Sequence, residues 1–146
     1  MKFLVINGPN LNLLGLREPA IYGSRSFAAL QDFIRASASD AGVEVALFQS
    51  NHEGAIVDAI QAAYGTVDGI VINPAAYTHT SVALLDAVKA VGIPTVEVHV
   101  SDPDSREDFR HVSYIRAACI ATIRGHGLPG YLEALHLLCE RGEGRG

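Results

Sequence analysis

The stretch KFLVINGPNLNLLGLREPAIYG, residues 2–23, places a polar, conformationally committed loop directly on the end of an apolar strand. Phe3 to Ile6 is a short continuous apolar run with β-branched content, too brief for a helix and suited to a strand covered on both faces. Asn7, Gly8, Pro9 and Asn10 end it: Gly opens unusual backbone angles, Pro removes a donor, and the Asn side chains turn or cap the chain. The connection then carries Asn12, Arg17, Glu18, Pro19, Tyr22 and Gly23. It is long for a βα loop, where about 2–6 residues is usual, and long loops tend to be lids or binding loops. The segment from Leu11 to Tyr22 is therefore expected to be a mobile lid.

Outward from this stretch, strands and helices alternate to the end of the chain. Phe27, Leu30, Phe33, Ile34 and Ala38 fall at helical spacing over about Ser26 to Ala41, with Ser24 or Ser26 as N-cap and Gly42 past the end. Val43 to Phe48 reads as a strand stopped by Gln49, Ser50 and Asn51. Ile56, Val57, Ile60 and Tyr64 outline a helix closed by Gly65, and Gly69 to Ile72 a buried strand stopped by Asn73 and Pro74. Ser81 caps a helix with an apolar face of Val82, Leu85, Val88 and Val91. Thr95 to Val100 is the next strand, Cys119 to Ile123 the fifth, and a last helix runs from Leu128 or Gly130 to about Cys139. This pattern predicts an α/β fold, a five-stranded parallel sheet in flavodoxin-like order 2-1-3-4-5 with helices on both faces. One domain spans 1–141, and residues 142–146 are expected to be a disordered tail. Ligands on such sheets bind beyond the carboxyl ends of the strands where strand order reverses. Asn7 and Asn10 follow strand one, Asn73 follows strand three, and His99 with Ser101 closes strand four.

At 146 residues, with 49% hydrophobic and 18% charged residues, the chain has the composition of one globular domain with a real core. A formal charge of −5, with lysine only at positions 2 and 89, offers no basic stripe, so nucleic acid is not an expected partner. No apolar run approaches the roughly 18 residues of a membrane span. The first strand starts at once without a charged leader, which makes cytoplasm the expected compartment. Cys119 and Cys139 lie in apolar surroundings and read as buried free thiols.

The run GHGLPG at 125–130 fits a dinucleotide fingerprint literally. The fingerprint needs a following strand with an acidic residue roughly 20 positions on, so glycine turns before a closing helix fit better. His79, His99 and Asp86 have neither the i, i+4 spacing nor the carboxylate company of a metal site, and no metal is expected. Tyr22 is ordinarily a packed aromatic and Arg17 a solvated charge. A tyrosine, with its reference pKa of about 10, becomes a base near neutrality only when a cation stabilises the phenolate, and Arg17 stands in the same loop. His99, at a strand end, is either a structural imidazole or a general acid. Glu97 shares its face of the strand and either orients the ring or is a surface carboxylate. Ser101 and Arg110 offer a hydroxyl and a guanidinium fork to an anionic, hydroxylated ligand. Competing readings are a receiver-type or nucleotide-binding module and an inactive scaffold. A receiver would carry acidic residues where Asn7 and Asn73 stand, and a scaffold leaves Arg17 and Tyr22 without a purpose.

NGPNLNLLGLREPAIYG, NPAAYTHTSVALLDA, VEVHVSD and REDFRHVSY, with GLPGY near the end, occur in an order and spacing that resembles the type II 3-dehydroquinate dehydratases over almost the whole chain. The resemblance implies anti elimination of water from 3-dehydroquinate through an enolate, in the shikimate pathway, with no cofactor, metal or Schiff base. By the family pattern Tyr22 is the tyrosinate base, Arg17 stabilises it, Asn10 helps hold the enolate, and His99 protonates the leaving hydroxyl. Asn73, the backbone at Val100 and Ser101, and the Ser101 hydroxyl would hold the carboxylate region, and His79 and Arg110 the ring hydroxyls. Asp86 would reach a neighbouring subunit's site in a homo-oligomer, a dodecamer built from trimers. Val100 stands where a bulkier aliphatic is common, and RAACIATIRG at 116–125 departs most, which bears on strand-five packing.

Overall fold

The computed structural model describes residues 1–16 and 26–143. Its elements follow in the order β1 (Lys2–Asn7), α1 (Phe27–Ala41), β2 (Glu44–Gln49), α2 (Glu53–Ala62), β3 (Gly69–Asn73), α3 (Val82–Val91), β4 (Thr95–His99), β5 (Ala121–Arg124) and α4 (Pro129–Glu143). All sheet pairings are parallel and the strand order is β2-β1-β3-β4-β5, as the sequence predicts.

Alternation along each strand divides the core into two layers. Phe3 and Val5 of β1, Val71 of β3, and Val96 and Val98 of β4 face α1 and α4, where Leu30, Ile34, Tyr131, Leu135 and Leu138 meet them. Ile6, Ile70 and Ile72 face the opposite way, onto Ile56 and Ile60 of α2 and Leu84, Ala87 and Val88 of α3. Each fully buried aliphatic side chain contributes about 1.5–3 kcal/mol of transfer free energy. The central strands β1 and β3 read as nearly continuous apolar runs because both of their faces are covered, whereas β4 alternates its valines with Thr95, Glu97 and His99.

The helix ends follow their cap chemistry. Ser26 accepts from the Ala29 N–H at 3.1 Å and Ser81 from the Leu84 N–H at 3.0 Å, each satisfying a first-turn donor. Gly42 and Gly92 close α1 and α3 in the left-handed conformation.

Several boundaries differ from the sequence reading. β5 starts at Ala121, not Cys119, because Ile115–Ala118 forms a 3-10 turn whose C-cap is Cys119. Val100 lies just beyond β4. The buried face of α3 is Leu84, Ala87 and Val88, and Val82 is 50% exposed, so the helix is rotated from the face that spacing suggests. α4 continues through Gly142 and Glu143, two residues of the expected tail. The expected lid does not begin at Leu11. Leu11–Leu13 is a 3-10 turn, the Leu14 and Leu16 N–H groups donate back to Leu11 and Leu13, and Leu11 and Leu14 are buried. Residues 17–25 lie outside the described residues, and so do the expectations for Arg17 and Tyr22.

The ends of β1 and β3 touch at Gly8. Its N–H donates to the Asn73 carbonyl at 2.8 Å, and a Cβ there would lie 2.5 Å from the Pro74 carbonyl oxygen. Backbone on both sides leaves nothing to yield cheaply. Gly8→Ala is expected to destabilise the protein by about 2 kcal/mol or more, read as a lower urea midpoint at unchanged m-value, because overpacking forces a backbone shift. An unchanged midpoint would mean that the β1 and β3 ends are not locked together.

Candidate active site

At the carboxyl edge of the sheet a cleft of about 180 Å³ is lined by Asn10, Asn73, His79, His99, Val100, Ser101 and Arg110, together with Leu11, Ala75, Ala76, Pro103 and Arg106. Seven of the sequence-predicted site residues thus come together at the strand ends. Arg106 and Pro103 were not foreseen, since a loop arginine and a proline carry no signal until the loop's path is known. Among the described residues no group of three or more His, Cys, Asp or Glu side chains is placed to hold a metal ion.

β4 delivers the chemistry. Glu97 and His99 share a face of the strand, opposite Val96 and Val98, and both are buried. The His99 Nε2 hydrogen-bonds closely to Glu97 Oε2. A carboxylate only accepts, so Nε2 carries the proton and Nδ1 is the nitrogen left for the cleft. Glu97 has no exposed surface, so it is not a surface carboxylate, and its Oε2 is the partner of the His99 ring. Its other partners come from distant segments: the Ser113 hydroxyl donates to Oε2 at 2.8 Å, the Thr122 hydroxyl to Oε1 at 3.2 Å, and Arg116 Nε lies 3.6 Å from Oε1. Burial by itself would raise the Glu97 carboxyl. The hydrogen bonds from His99 and Ser113 and the positive charge of Arg116 outweigh it, and the carboxyl is held below its ordinary range.

Ser113 stands within REDFRHVSY, and Thr122 pairs with Glu97 in the β4–β5 register. Neither was singled out from sequence, because Thr122 is identified as a partner only once β5 is known to begin at Ala121. Cys119 sits nearby, half-buried and reduced, and burial followed by the Glu97 charge pushes its thiol up to about 12. It is inert as a nucleophile.

The segment after β4 is turned by its carbonyls. His99 and Ser101 accept from the Gly125 N–H at 3.3 and 3.1 Å, and Val100 accepts from the Gly127 N–H at 3.0 Å. In a trans peptide the following N–H points the opposite way, so the Val100 and Ser101 amides project away from β5. Gly125 takes φ +78° with Asp102 packed where its Cβ would be, so GHGLPG is the turn that anchors the end of β4. Arg124 and Asp104 form an ion pair that ties the 103–105 turn to β5.

His79 Nδ1 donates to the Val112 carbonyl at 2.7 Å, which leaves Nε2 as an acceptor at the cleft. Burial lowers its pKa against the opposing pull of that carbonyl, and the His99 and Arg110 charges lower it further. Arg110 is held by Glu107 at 2.6 Å and lies 5.2 Å from the Phe109 ring centroid. Asn10 adopts φ +70° and its N–H donates to Asn51 Oδ1 at 2.9 Å. Gln49 braces the same corner through the Gly8 carbonyl at 3.2 Å and Asn51 at 3.2 Å. Beneath the cleft the buried hydroxyl of Tyr131 lies between the side chains of Asn73 and Asn7. Asp86 is exposed on α3 and does not line its own chain's cleft.

Residues 1–139 match the family model described as dehydroquinase class II. The chain belongs to the class II dehydroquinase family. It is 56% identical to the 3-dehydroquinate dehydratase of Caldicellulosiruptor bescii, over 95% of this chain and 97% of that one. It is 57% identical to the catabolic 3-dehydroquinase 1 of Neosartorya fischeri, over 92% of this chain and 89% of that one. The crystal structure of type II dehydroquinase from Butyrivibrio crossotus is 50% identical and superposes with a TM-score of 0.93, covering 95% of this chain and 97% of that one. This class II dehydroquinase is an enzyme, a hydro-lyase.

The Glu97 environment gives the fold a contribution to stability that depends on acid pH. The folded protein favours the carboxylate, so this contribution is present above the ordinary value of 4.5 and is lost as pH falls through the lowered folded value. Urea midpoints measured from pH 7 to pH 3 are expected to drop along that limb, and Glu97→Gln is expected to flatten the drop while lowering the midpoint at pH 7. An acid limb of the same slope in Glu97→Gln would place the titrating groups elsewhere.

Proposed function

We propose that the chain catalyses the reversible dehydration of 3-dehydroquinate to 3-dehydroshikimate by anti elimination through an enolate, in the shikimate pathway serving aromatic amino-acid biosynthesis, in the cytoplasm. The observation that carries this reading is the His99 imidazole seated on a buried carboxylate at the rim of a cleft that gathers donors for an anionic, hydroxylated ligand. Family membership supplies the substrate class.

In the proposed sequence Tyr22, as tyrosinate stabilised by Arg17, removes a proton from C2, and the electron pair moves onto the C3 carbonyl oxygen. Asn10 stands at the cleft wall to hold that oxygen through a water. When the enolate collapses, the C1–O bond breaks, His99 Nδ1 gives its proton to the leaving hydroxyl, and water departs. The C1–C2 double bond that forms is conjugated with the ketone. Glu97 keeps the His99 ring turned so that Nδ1, not Nε2, faces the leaving group. Asn73, the outward amides of Val100 and Ser101 and the Ser101 hydroxyl receive the carboxylate region. His79 Nε2 accepts from a ring hydroxyl, and Arg110 donates to another.

The lysine positions support an enolate over a Schiff base. Lys2 opens β1 at the amino edge of the sheet, opposite the cleft, and Lys89 is exposed in the last turn of α3. Neither is desolvated as an imine-forming lysine must be.

The test is the appearance of enone absorbance with 3-dehydroquinate. Tyr22→Phe is expected to lose at least about 10³-fold in kcat with little change in KM, since it removes a group acting in the transition state. Near-normal turnover by Tyr22→Phe would remove the tyrosinate from the mechanism, and a wild-type protein without turnover would remove the proposal.

We further propose a homo-oligomer, a dodecamer built from trimers, in which Asp86 reaches a neighbouring chain's cleft. Its exposure on α3, away from its own cleft, is what a contribution to a second copy needs. Light scattering is expected to give a closed multiple of three chains. Asp86→Ala is expected to raise KM without lowering secondary structure, and a fully active monomer would refute the arrangement.

A further inference from the structure

Three amide and hydroxyl groups under the cleft form one directed chain. The Ala75 backbone N–H donates to Asn73 Oδ1 at 3.1 Å, Asn73 Nδ2 donates to the Tyr131 hydroxyl at 3.0 Å, and that hydroxyl donates to Asn7 Oδ1 at 2.6 Å. A backbone N–H can only donate, so the first link sets the direction of all the others. Oδ1 of Asn73 is committed to Ala75 and one Nδ2 hydrogen to Tyr131. What remains for the cleft is the second Nδ2 hydrogen.

The chain sits where it cannot be replaced by water. Asn7 and Asn73 are 2% and 4% exposed and Tyr131 has no exposed surface. They share the sheet face toward α4, since Asn7 alternates with Val5 and Asn73 with Val71, and the register places Asn7 beside Asn73. Burial raises the Tyr131 pKa above its usual value, so its hydroxyl keeps its proton and stays a donor to Asn7. Ala75, which also lines the cleft, holds φ +51°, a left-handed conformation unusual for a residue with a Cβ.

We propose that Tyr131 is a positioning residue that, with the Ala75 N–H on the other side, holds the Asn73 amide in one polarity, so that the cleft meets an anionic oxygen with an N–H and not with a carbonyl. The consequence is a specificity device. A carboxylate can only accept, and a flipped Asn73 would oppose it with Oδ1. A carboxamide, which both donates and accepts, would tolerate either orientation. Tyr131 touches no ligand. It acts through Asn73, and the role rests on the proposed function only for the choice of substrate.

The experiment uses the full-length protein, 3-dehydroquinate and its C1 carboxamide. Tyr131→Phe removes the hydroxyl alone and is expected to raise KM for 3-dehydroquinate about tenfold, more than it lowers kcat, because Asn73 then keeps only the Ala75 N–H and its buried Nδ2 loses the acceptor that holds it in place. The preference for carboxylate over carboxamide is expected to narrow by a similar factor. In an Asn73→Ala background the same change is expected to have no further effect on kcat/KM. Equal losses in both backgrounds, or an unchanged preference, would assign Tyr131 to packing and overturn the proposal. Should Tyr131→Phe fail to fold, side-chain amide exchange in the wild type decides. One Asn73 Nδ2 hydrogen is expected to exchange slowly and the other fast, and two equal rates would overturn the proposal. Wild-type protein measured first separates the two readings. No turnover there removes the function, whereas normal turnover with additive variants removes only the role of Tyr131.

Discussion

A carboxylate with no exposed surface must be compensated by the protein, because an unpaired buried charge costs far more than any single contact returns. Glu97 is that carboxylate. Its compensation draws His99 from its own strand, Thr122 from β5, and Ser113 and Arg116 from the segment between. Chain that would otherwise be a surface crossover is thereby folded back across the edge of β4 and β5. The same requirement orients the His99 ring, so one desolvated charge both draws Ser113 and Arg116 against β4 and fixes which imidazole nitrogen is left for the cleft.

The other half of the cleft rests on neutral groups. Asn7 and Asn73 end adjacent strands at the point where the strand order reverses, and Gly8 allows the backbones to approach closely enough for the two ends to act as one. Tyr131 reaches the same point from α4, the last helix in the chain, so that residues 124 positions apart share a hydrogen bond. Amides bound in this way lose the freedom to rotate, and the cleft offers a defined donor that needs no further ordering when a ligand arrives. Charged and neutral supports thus occupy separate parts of the cleft, the Glu97–His99 pair on β4 and the linked amides at the ends of β1 and β3.

The strand order and the meeting of Asn10, Asn73, His99, Ser101 and Arg110 were legible in the residues, because alternating apolar runs with polar residues at their carboxyl ends leave few other topologies. Chemistry and motif single out Arg17 and Tyr22 as a pair, and both lie outside the described residues. Cys119 was misplaced into a strand because an apolar run of small residues has no periodicity by which a 3-10 turn can be told from β structure. Val82 was misassigned to the buried face of α3 because spacing defines an apolar stripe only to within one neighbouring residue, and packing against α2 chooses among them.

By itself the sequence determined the fold class, the edge of the sheet at which the cleft opens, and the residue types available there, since these depend on local periodicity and on where each strand must stop. Only the tertiary structure decided that Glu97 is buried and not solvated, that Ser113, Thr122 and Arg116 are its partners, and that Tyr131 lies beneath Asn73. Those facts are relations between segments far apart in the chain. A hydroxyl or a carboxylate carries no mark in sequence of what lies across the core from it, and its charge, direction and reactivity are set there.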